Sequence, residues 1–389
     1  MTSHGEGVPE VRVLHVHERA GFYGGVEQIL YDTARGLAAR GWPQGLLHAD
    51  SAPQDEYLAA FESAGTDDAL IASFAPDLLF LHKVEDPVRI AGLARRRPTV
   101  RMVHDHDLVC LRRHKYFPLN SRVCDRPAGL ACYLNLCFIQ RAARGSVLPI
   151  AFKGLGGVKA AIHAHREVRS LMVGSRWMAR ELTVNGLDPA RIAIVPPIPA
   201  ALAKSSPLPA SGQPEVLFVG QVIRGKGVDL LLRALVQVPG EWHATIVGTG
   251  NHLDACRLLA QELGIAARVT FTGWVPHISL ESYYAHAAVC VVPSRWPEPF
   301  GMVGVEAMAR GRPVIGFAVG GIPDWLDDGV TGILVPEADT GALGAAIASL
   351  LADPRWAEAL GQAGLARVRE RFQPDRYLDR LMQVLGEAV

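Results

Sequence analysis

This chain of 389 residues has little of what marks secreted, membrane-spanning or nucleic-acid-binding proteins. Six cysteines are too few for a disulfide-dense scaffold, and an intracellular compartment would keep them as thiols. No stretch approaches the ~18–20 uninterrupted apolar residues of a membrane span, and Met1 to Glu10 is polar, without the apolar core of an export signal. A cytoplasmic, unexported protein is therefore expected. Net charge is absent, with 39 Lys and Arg against 39 Asp and Glu, so no global field points to nucleic acid. Aromatic residues make up only 7% and are not interleaved with the basic runs, which excludes a single-strand-binding surface of the stacking type. Low-complexity tracts and short repeats are missing, and no D-x-D metal motif stands in a suitable loop.

What is present is core-forming material: 49% of the residues are hydrophobic, and the length exceeds the ~100–200 residues usual for one domain. Short apolar runs suited to buried parallel strands alternate with amphipathic segments of helical length. In the first half the runs are Val11–His15, Gly45–Ala49, Asp77–His82, Thr99–His104, Ser170–Ser175 and Arg191–Pro196, with a helix expected over Val26–Arg40 and ended by Gly41. Residues 201–214 are rich in Ala, Ser and Pro and read as a linker. A second series follows with Glu215–Gly220, Trp242–Gly248, Arg268–Gly273, Ala288–Ser294, Arg312–Phe317 and Gly332–Val335, then helices only. The pattern predicts an α/β protein of two doubly wound, Rossmann-like domains facing a central cleft, over residues 1–200 and 215–373, with a last helix, 374–389, returning to the first domain. The stretch between Asp105 and Ala151 fits the alternation poorly, as functional insertions do.

The most informative segment is PSRWPEPFGMVGVEAMARGRP, Pro293 to Pro313. A strand ends near Ser294, a Pro/Gly turn follows and a helix begins near Phe300–Met302, so backbone N–H groups of Gly301, Met302 and Val303 are available to phosphate or sugar oxygens. Glu298 and Glu306 can accept hydrogen bonds from paired hydroxyls of a sugar or ribose. The plainer alternative is a capping Glu298 and a solvated Glu306.

The run E-P-F-G-x-x-x-x-E-A-M-A-x-G-x-P-V closely resembles the E-x7-E signature of family-4 retaining glycosyltransferases, which have the GT-B fold. The likeness extends to GFYGGVE (Gly21 to Glu27), VTFTGWV (Val269 to Val275) and GGIPDWLDDGVTGILV (Gly320 to Val335), the last with Asp324 where the family has Glu. The resemblance implies transfer of a sugar from a nucleoside-diphosphate sugar to an acceptor hydroxyl with retention, without a bound cofactor or divalent ion. It further implies that Glu298 holds sugar hydroxyls, Glu306 the ribose diol, and Phe300, Gly301 and Met302 the sugar through backbone amides. Val275 would border the nucleobase, and Gly24 and Gly25 would let a loop approach the diphosphate, although a mere tight turn would also explain them. His104 would stand beside the reacting sugar, with His106 as its rival.

GQVIRGKG (Gly220 to Gly227) satisfies G-x-x-x-x-G-K, but a P-loop needs Ser or Thr where Gly227 stands. The resemblance instead makes Lys226 the cation on the diphosphate. It also exposes a departure: the family has Arg directly after the strand-end glycine, and this chain has Gln221, with Arg224 as the available substitute. GTGNHL (Gly248 to Leu253) has only two of the three glycines of a dinucleotide fingerprint. Cys110, Cys124, Cys132 and Cys137 fall in the irregular stretch at spacing C-x13-C-x7-C-x4-C, either as buried thiols or as a metal or disulfide staple. From Arg95 to Arg180, 17 Lys and Arg stand against Asp105, Asp107, Asp125 and Glu167. That basic half, including Arg95–Arg97, Arg112, Arg113 and Lys115, suits an acceptor glycan, a small molecule or a lipid-linked acceptor, with peripheral contact at the inner membrane face. The other readings left open are a different GT-B activity, such as an epimerase or phosphorylase, and a non-catalytic nucleotide-sugar-binding subunit.

Overall fold

The structure is a computed structural model that describes residues 10–119, 122–141, 150–209 and 212–389. The first nine residues of the polar N-terminal stretch and residues 210–211 of the linker lie outside the described residues. Two compact units emerge, one from Met1–Arg113, Asp125–Ala200 and Pro374–Val389, the other from His114–Cys124 and Ala201–Gln373.

The first unit is built on strands β1 (Val13–Val16), β2 (Gln44–Leu47), β3 (Ser63–Gly65), β4 (Leu78–Leu81) and β5 (Thr99–Val103), then a small hairpin, β6 (Ile139–Arg141) and β7 (Ile150–Phe152), then β8 (Ser170–Val173) and β9 (Ile192–Ile194). All but the hairpin form one parallel sheet ordered β3-β2-β1-β4-β5-β8-β9. Strands such as LLFL and TVRMV are buried along their whole length, as expected of parallel strands covered by helices on both faces. The helix Gly25–Ala38 buries Ile29, Leu30, Thr33, Ala34 and Leu37, a 3.6-residue stripe. It stops at Gly41, where φ is +85° and the Trp42 N–H donates back to Leu37. Burying Leu30 alone contributes roughly 1.5–3 kcal/mol. The last helix, Pro374–Gly386, belongs to this unit: Tyr377 bonds Thr33 at 2.8 Å and Arg40 bonds Asp375 at 2.8 Å.

The second unit holds β10 (Glu215–Val219), β11 (His243–Val247), β12 (Val269–Gly273), β13 (Val289–Val292), β14 (Val314–Phe317) and β15 (Ile333–Val335). They form a parallel sheet in the order β12-β11-β10-β13-β14-β15. Its helices Thr340–Ala352 and Pro354–Arg371 are capped by Asp339 and Asp353, whose carboxylates accept from Ala342 and Trp356 N–H groups.

One boundary differs from the sequence reading. His114–Cys124, expected in the first domain, groups with the second unit. The Val123 N–H donates to Glu337 at 2.5 Å, and the rings of His114 and Trp296 lie 5.5 Å apart, so these residues find their packing there. Among the described residues no helix is long and apolar enough to cross a membrane.

Candidate functional site

In each unit the strand order reverses between two neighbouring strands, β1 and β4 in the first and β10 and β13 in the second, and the chemistry expected from sequence collects at their carboxyl ends.

In the second unit, the loop after β10 carries Gln221, Arg224 and Lys226, and the loop after β13 carries Ser294 and Glu298. Lys226 Nζ lies 2.7 Å from Glu298 Oε1, and the Ser294 hydroxyl donates to the same oxygen at 2.5 Å. Glu298 is buried, and its carboxylate meets Lys226 and Ser294 while Gly301 is the N-cap of the next helix, so it does not cap that helix. Its backbone is clamped as well: the Gly321 N–H donates to Glu298 O at 2.7 Å. Gly320 has φ of +56°, and a Cβ there would come within 2.4 Å of Glu298 N. At Gly227, φ is +72° and a Cβ would fall 1.8 Å from Pro293 O, which excludes the Ser or Thr of a P-loop on steric grounds.

The helix Met302–Ala309 begins after Gly301, whose φ is +95°; the Gly304 N–H donates back to Gly301 O at 3.2 Å, and the N–H groups of Met302 and Val303 have no intrahelical partner. Trp325, fully buried, donates from Nε1 to Phe300 O at 2.7 Å and fixes this entry. Glu306 is half-buried rather than solvated; burial pushes its carboxyl upward, against Arg310 and a 3.5 Å hydrogen bond from Tyr284. Val275 is half-buried just beyond β12. Gln221 and Arg224 are exposed. Arg295, which sequence reasoning missed, is buried and donates to Arg224 O at 2.9 Å and to Asp229 at 2.8 Å, pinning the loop backbone beneath Lys226.

In the first unit, Gly24 and Gly25 open the helix that carries Glu27. Neither has positive φ, and a Cβ at Gly25 would meet nothing within 4 Å, so the fold itself gives no reason for glycine there. Glu27 bonds His17 Nε2 at 3.2 Å; burial alone would raise its pKa, but that bond brings it below the ordinary value. His104 lies one residue past β5, with Nε2 3.1 Å from His82 Nδ1, and burial pushes its pKa down to about 3. Its rival His106 is fully buried edge-on to Trp177 and belongs to the core. Sequence reasoning also missed His15, His17 and His82. Their signal was an apolar run ending in histidine, repeated at VLHVH, LLFLH and RMVH.

A cavity of about 420 Å³ in this unit is lined by Arg101, Asp107, Arg113, Lys153 and Gly157 among others. Arg101 is buried, bonds Asp107 at 2.8 Å and leaves Nε unpaired, as Asp107 leaves Oδ1. Burial raises the Asp107 carboxyl. The helix Leu155–His165 starts at the cavity, with Lys153 exposed beside it. Asp105 and Asp107, a D-x-D pair by spacing, are each matched to a cation, Lys83 and Arg101 respectively.

The basic run is less free than its sequence suggests. Arg113 makes two bonds to Glu85, Arg112 donates to Ile139 O, Lys115 is buried and Arg96 pairs with Asp68, while Arg95 and Arg97 stay exposed. Among the described residues no group of three or more His, Cys, Asp or Glu is placed to hold a metal, so the four clustered cysteines form no such site there.

Residues 202–367 match the family model of glycosyl transferases group 1. The chain is 36% identical over 183 residues to a GDP-mannose-dependent alpha-(1-6)-phosphatidylinositol monomannoside mannosyltransferase of Mycolicibacterium smegmatis, covering 45% of this chain and 48% of that protein. It is 35% identical over 240 residues to a D-inositol 3-phosphate glycosyltransferase of Mycobacterium avium, covering 57% and 56%. The chain thus spans about half the length of the curated relatives it matches. Among solved structures, Anabaena Alr3699/HepE in complex with UDP superposes with a TM-score of 0.73 at 18% identity, over 97% of this chain and 100% of that one. Sucrose-phosphate synthase from Thermosynechococcus elongatus gives 0.71 at 24%, over 97% and 98%. The fold is therefore GT-B, with two Rossmann-like domains.

Proposed function

We propose that this chain is a retaining glycosyltransferase of the family-4 type that moves a sugar from a nucleoside-diphosphate sugar to an acceptor hydroxyl. The observation that carries the reading is the union of Lys226, Ser294 and Glu298 at the two strand ends flanking the switch point of the second sheet. As the anomeric C–O bond breaks, negative charge grows on the leaving diphosphate. A cation and N–H groups already fixed by the fold stabilise that charge without reorganising. Lys226 supplies the cation, which makes a divalent ion unnecessary. Glu298 Oε2, bonded to no described residue, accepts from sugar hydroxyls, and the amides of Phe300 to Val303 meet sugar or phosphate oxygens. Glu306 and Val275 take the ribose and the base. The acceptor oxygen attacks from the face the phosphate leaves, its proton passes to the leaving phosphate oxygen, and retention follows.

The acceptor carries an anionic group, free or lipid-linked. The unpaired Arg101 Nε, Lys153 and the helix start at Leu155 give the first-unit cavity its affinity for one. Relatives named for phosphatidylinositol and inositol phosphate acceptors agree with that class. A lipid-linked acceptor would bring the protein to the inner membrane face.

Thermal-shift screening of UDP-, GDP- and ADP-sugars, followed by transfer assays in excess chelator and NMR of the product anomer, tests the reading. One donor class should raise Tm and give product of unchanged anomeric configuration. Donor binding without transfer to any anionic acceptor would favour a second reading, a non-catalytic nucleotide-sugar-binding subunit. Gln221 motivates it, standing uncharged after Gly220 where the family has a cation.

A further inference from the structure

Four side chains on adjoining strands of the first sheet form one hydrogen-bonded row. Gln44 on β2 meets His15 on β1 (Oε1 to Nε2, 2.8 Å), His15 meets His82 just past β4 (Nδ1 to Nε2, 3.0 Å), and His82 meets His104 just past β5 (Nδ1 to Nε2, 3.1 Å). Successive imidazole planes are nearly parallel, at 19° and 22°, with ring centroids 5.3 and 5.4 Å apart.

The row has only one direction. The Gln44 amide nitrogen donates to Trp42 O at 2.8 Å and to Pro43 O at 3.1 Å, both pure acceptors, so Gln44 Oε1 must be the atom facing His15. His15 Nε2 therefore carries hydrogen. Burial holds His15 at a pKa of about 4 and drives that of His82 well below the ordinary value, so both rings are neutral at pH 7. A neutral ring with hydrogen on Nε2 has a lone pair on Nδ1. That lone pair accepts from the next Nε2–H, and each ring in turn is left with hydrogen on Nε2 and a lone pair on Nδ1. At the end of the row, His104 Nδ1 carries no hydrogen bond from the described residues and is not a buried atom.

We propose that Gln44, His15 and His82 are positioning residues that lock His104 in the Nε2–H tautomer and leave its Nδ1 lone pair to accept from a ligand hydroxyl at the carboxyl end of the first sheet. The row is also closed to proton transfer, because a proton taken at His104 would have to leave at an amide oxygen, which does not hold one at neutral pH. It polarises His104 as an acceptor, while burial, which pushes its pKa down to about 3, keeps it from acting as a base, in keeping with a leaving phosphate that takes the acceptor's proton. This inference rests on the transferase reading, under which that hydroxyl belongs to a sugar.

The test is ¹⁵N NMR of the full chain labelled at histidine, with transfer kinetics alongside. In the wild type, His104 should show a pyrrole-like Nε2 and a pyridine-like Nδ1. Gln44→Met, close in volume but without an acceptor, should give mixed tautomers and about 10-fold lower kcat, the lower end for outer-shell partners of a functional histidine. A wild-type His104 with hydrogen on Nδ1 overturns the proposal. So does a Gln44→Met protein that keeps one Nε2–H tautomer. The tautomer readout needs no substrate, so it decides the inference even if no donor is turned over, an outcome that would count against the transferase reading alone.

Discussion

Lys226 and Glu298, each expected to hold a different part of a sugar donor, hold each other: Nζ and Oε1 are 2.7 Å apart, and Ser294 shares the oxygen at 2.5 Å. The carboxylate is buried and the ammonium only half-buried, so the carboxylate depends on the pair for the solvation it lost, while the ammonium keeps part of its water. The arrangement places a cation and an acceptor a few ångströms apart before any ligand arrives. The proposed donor site calls for that pairing, a cation for the diphosphate beside an acceptor for a sugar hydroxyl.

Lys226→Ala should therefore do two things at once. It removes the charge proposed to face the leaving group, which on that reading lowers kcat by about 10²–10³-fold. It also strands a buried carboxylate, lowering stability by roughly 3–5 kcal/mol. Glu298→Gln keeps a hydrogen-bonding oxygen for Ser294, so kcat should fall with a much smaller change in Tm. Equal Tm losses in the two variants would show that the pair is not the electrostatic unit described.

Acid should destabilise the first unit well above the carboxylate range. Burial lowers the pKa of His15 to about 4, of His104 to about 3 and of His165 to about 3. In the unfolded chain each returns to about 6.5. A group with a depressed folded pKa leaves the folded state short of protons, so its stabilisation is full above pH 6.5 and is lost as pH falls toward 4. At pH 5 each of the three costs roughly 2 kcal/mol. Urea unfolding at pH 7.5 and pH 5 should show this loss, and equal midpoints would mean that these rings are protonated in the fold.

The alternation of strands and helices was legible because parallel strands are covered on both faces, so LLFL and VCVV read as unbroken apolar runs. β3 was not, since SAG is a three-residue edge strand with no apolar run, and neither was the β6–β7 hairpin of three-residue strands. The second-unit site was legible because Glu298, the turn and the helix start are contiguous in sequence. The histidine row was hidden because its members come from four strands that only the sheet order β2-β1-β4-β5 makes adjacent. The placement of His114–Cys124 with the second unit depends on Trp296 and Glu337, far along the chain, which no local pattern reveals.

Gly227→Ser completes a P-loop motif on paper and should fail as one. The residue sits at φ of +72°, and its new Cβ would lie 1.8 Å from Pro293 O, on the loop leading to Ser294. Strain at such a position costs about 1–3 kcal/mol before the collision is counted. The variant should unfold earlier and show no Mg²⁺-dependent ATP binding by calorimetry. A stable, ATP-binding variant would refute the steric account.

The final prediction concerns the cation that Gln221 leaves out. Arg224 is exposed three residues on, and its guanidinium makes no ion pair with a described residue, while its carbonyl is held by Arg295 at 2.9 Å. The loop backbone is thus fixed from below whatever side chain stands at 224, and Arg224→Ala should leave Tm within about 1 °C, as surface changes do. If the free guanidinium completes the diphosphate clamp with Lys226, the same variant should lose about 10²–10³-fold in kcat. Adding Gln221→Arg should then restore part of that rate, because position 221 lies two residues past the end of β10 and would again offer a cation in the same loop. Binding of the uncharged nucleoside should barely change in either variant, since neither residue is assigned to base or ribose. Near-normal turnover in Arg224→Ala would make Arg224 a solvated loop residue, leaving Lys226 and the helix-start amides of Met302 and Val303 as the whole clamp.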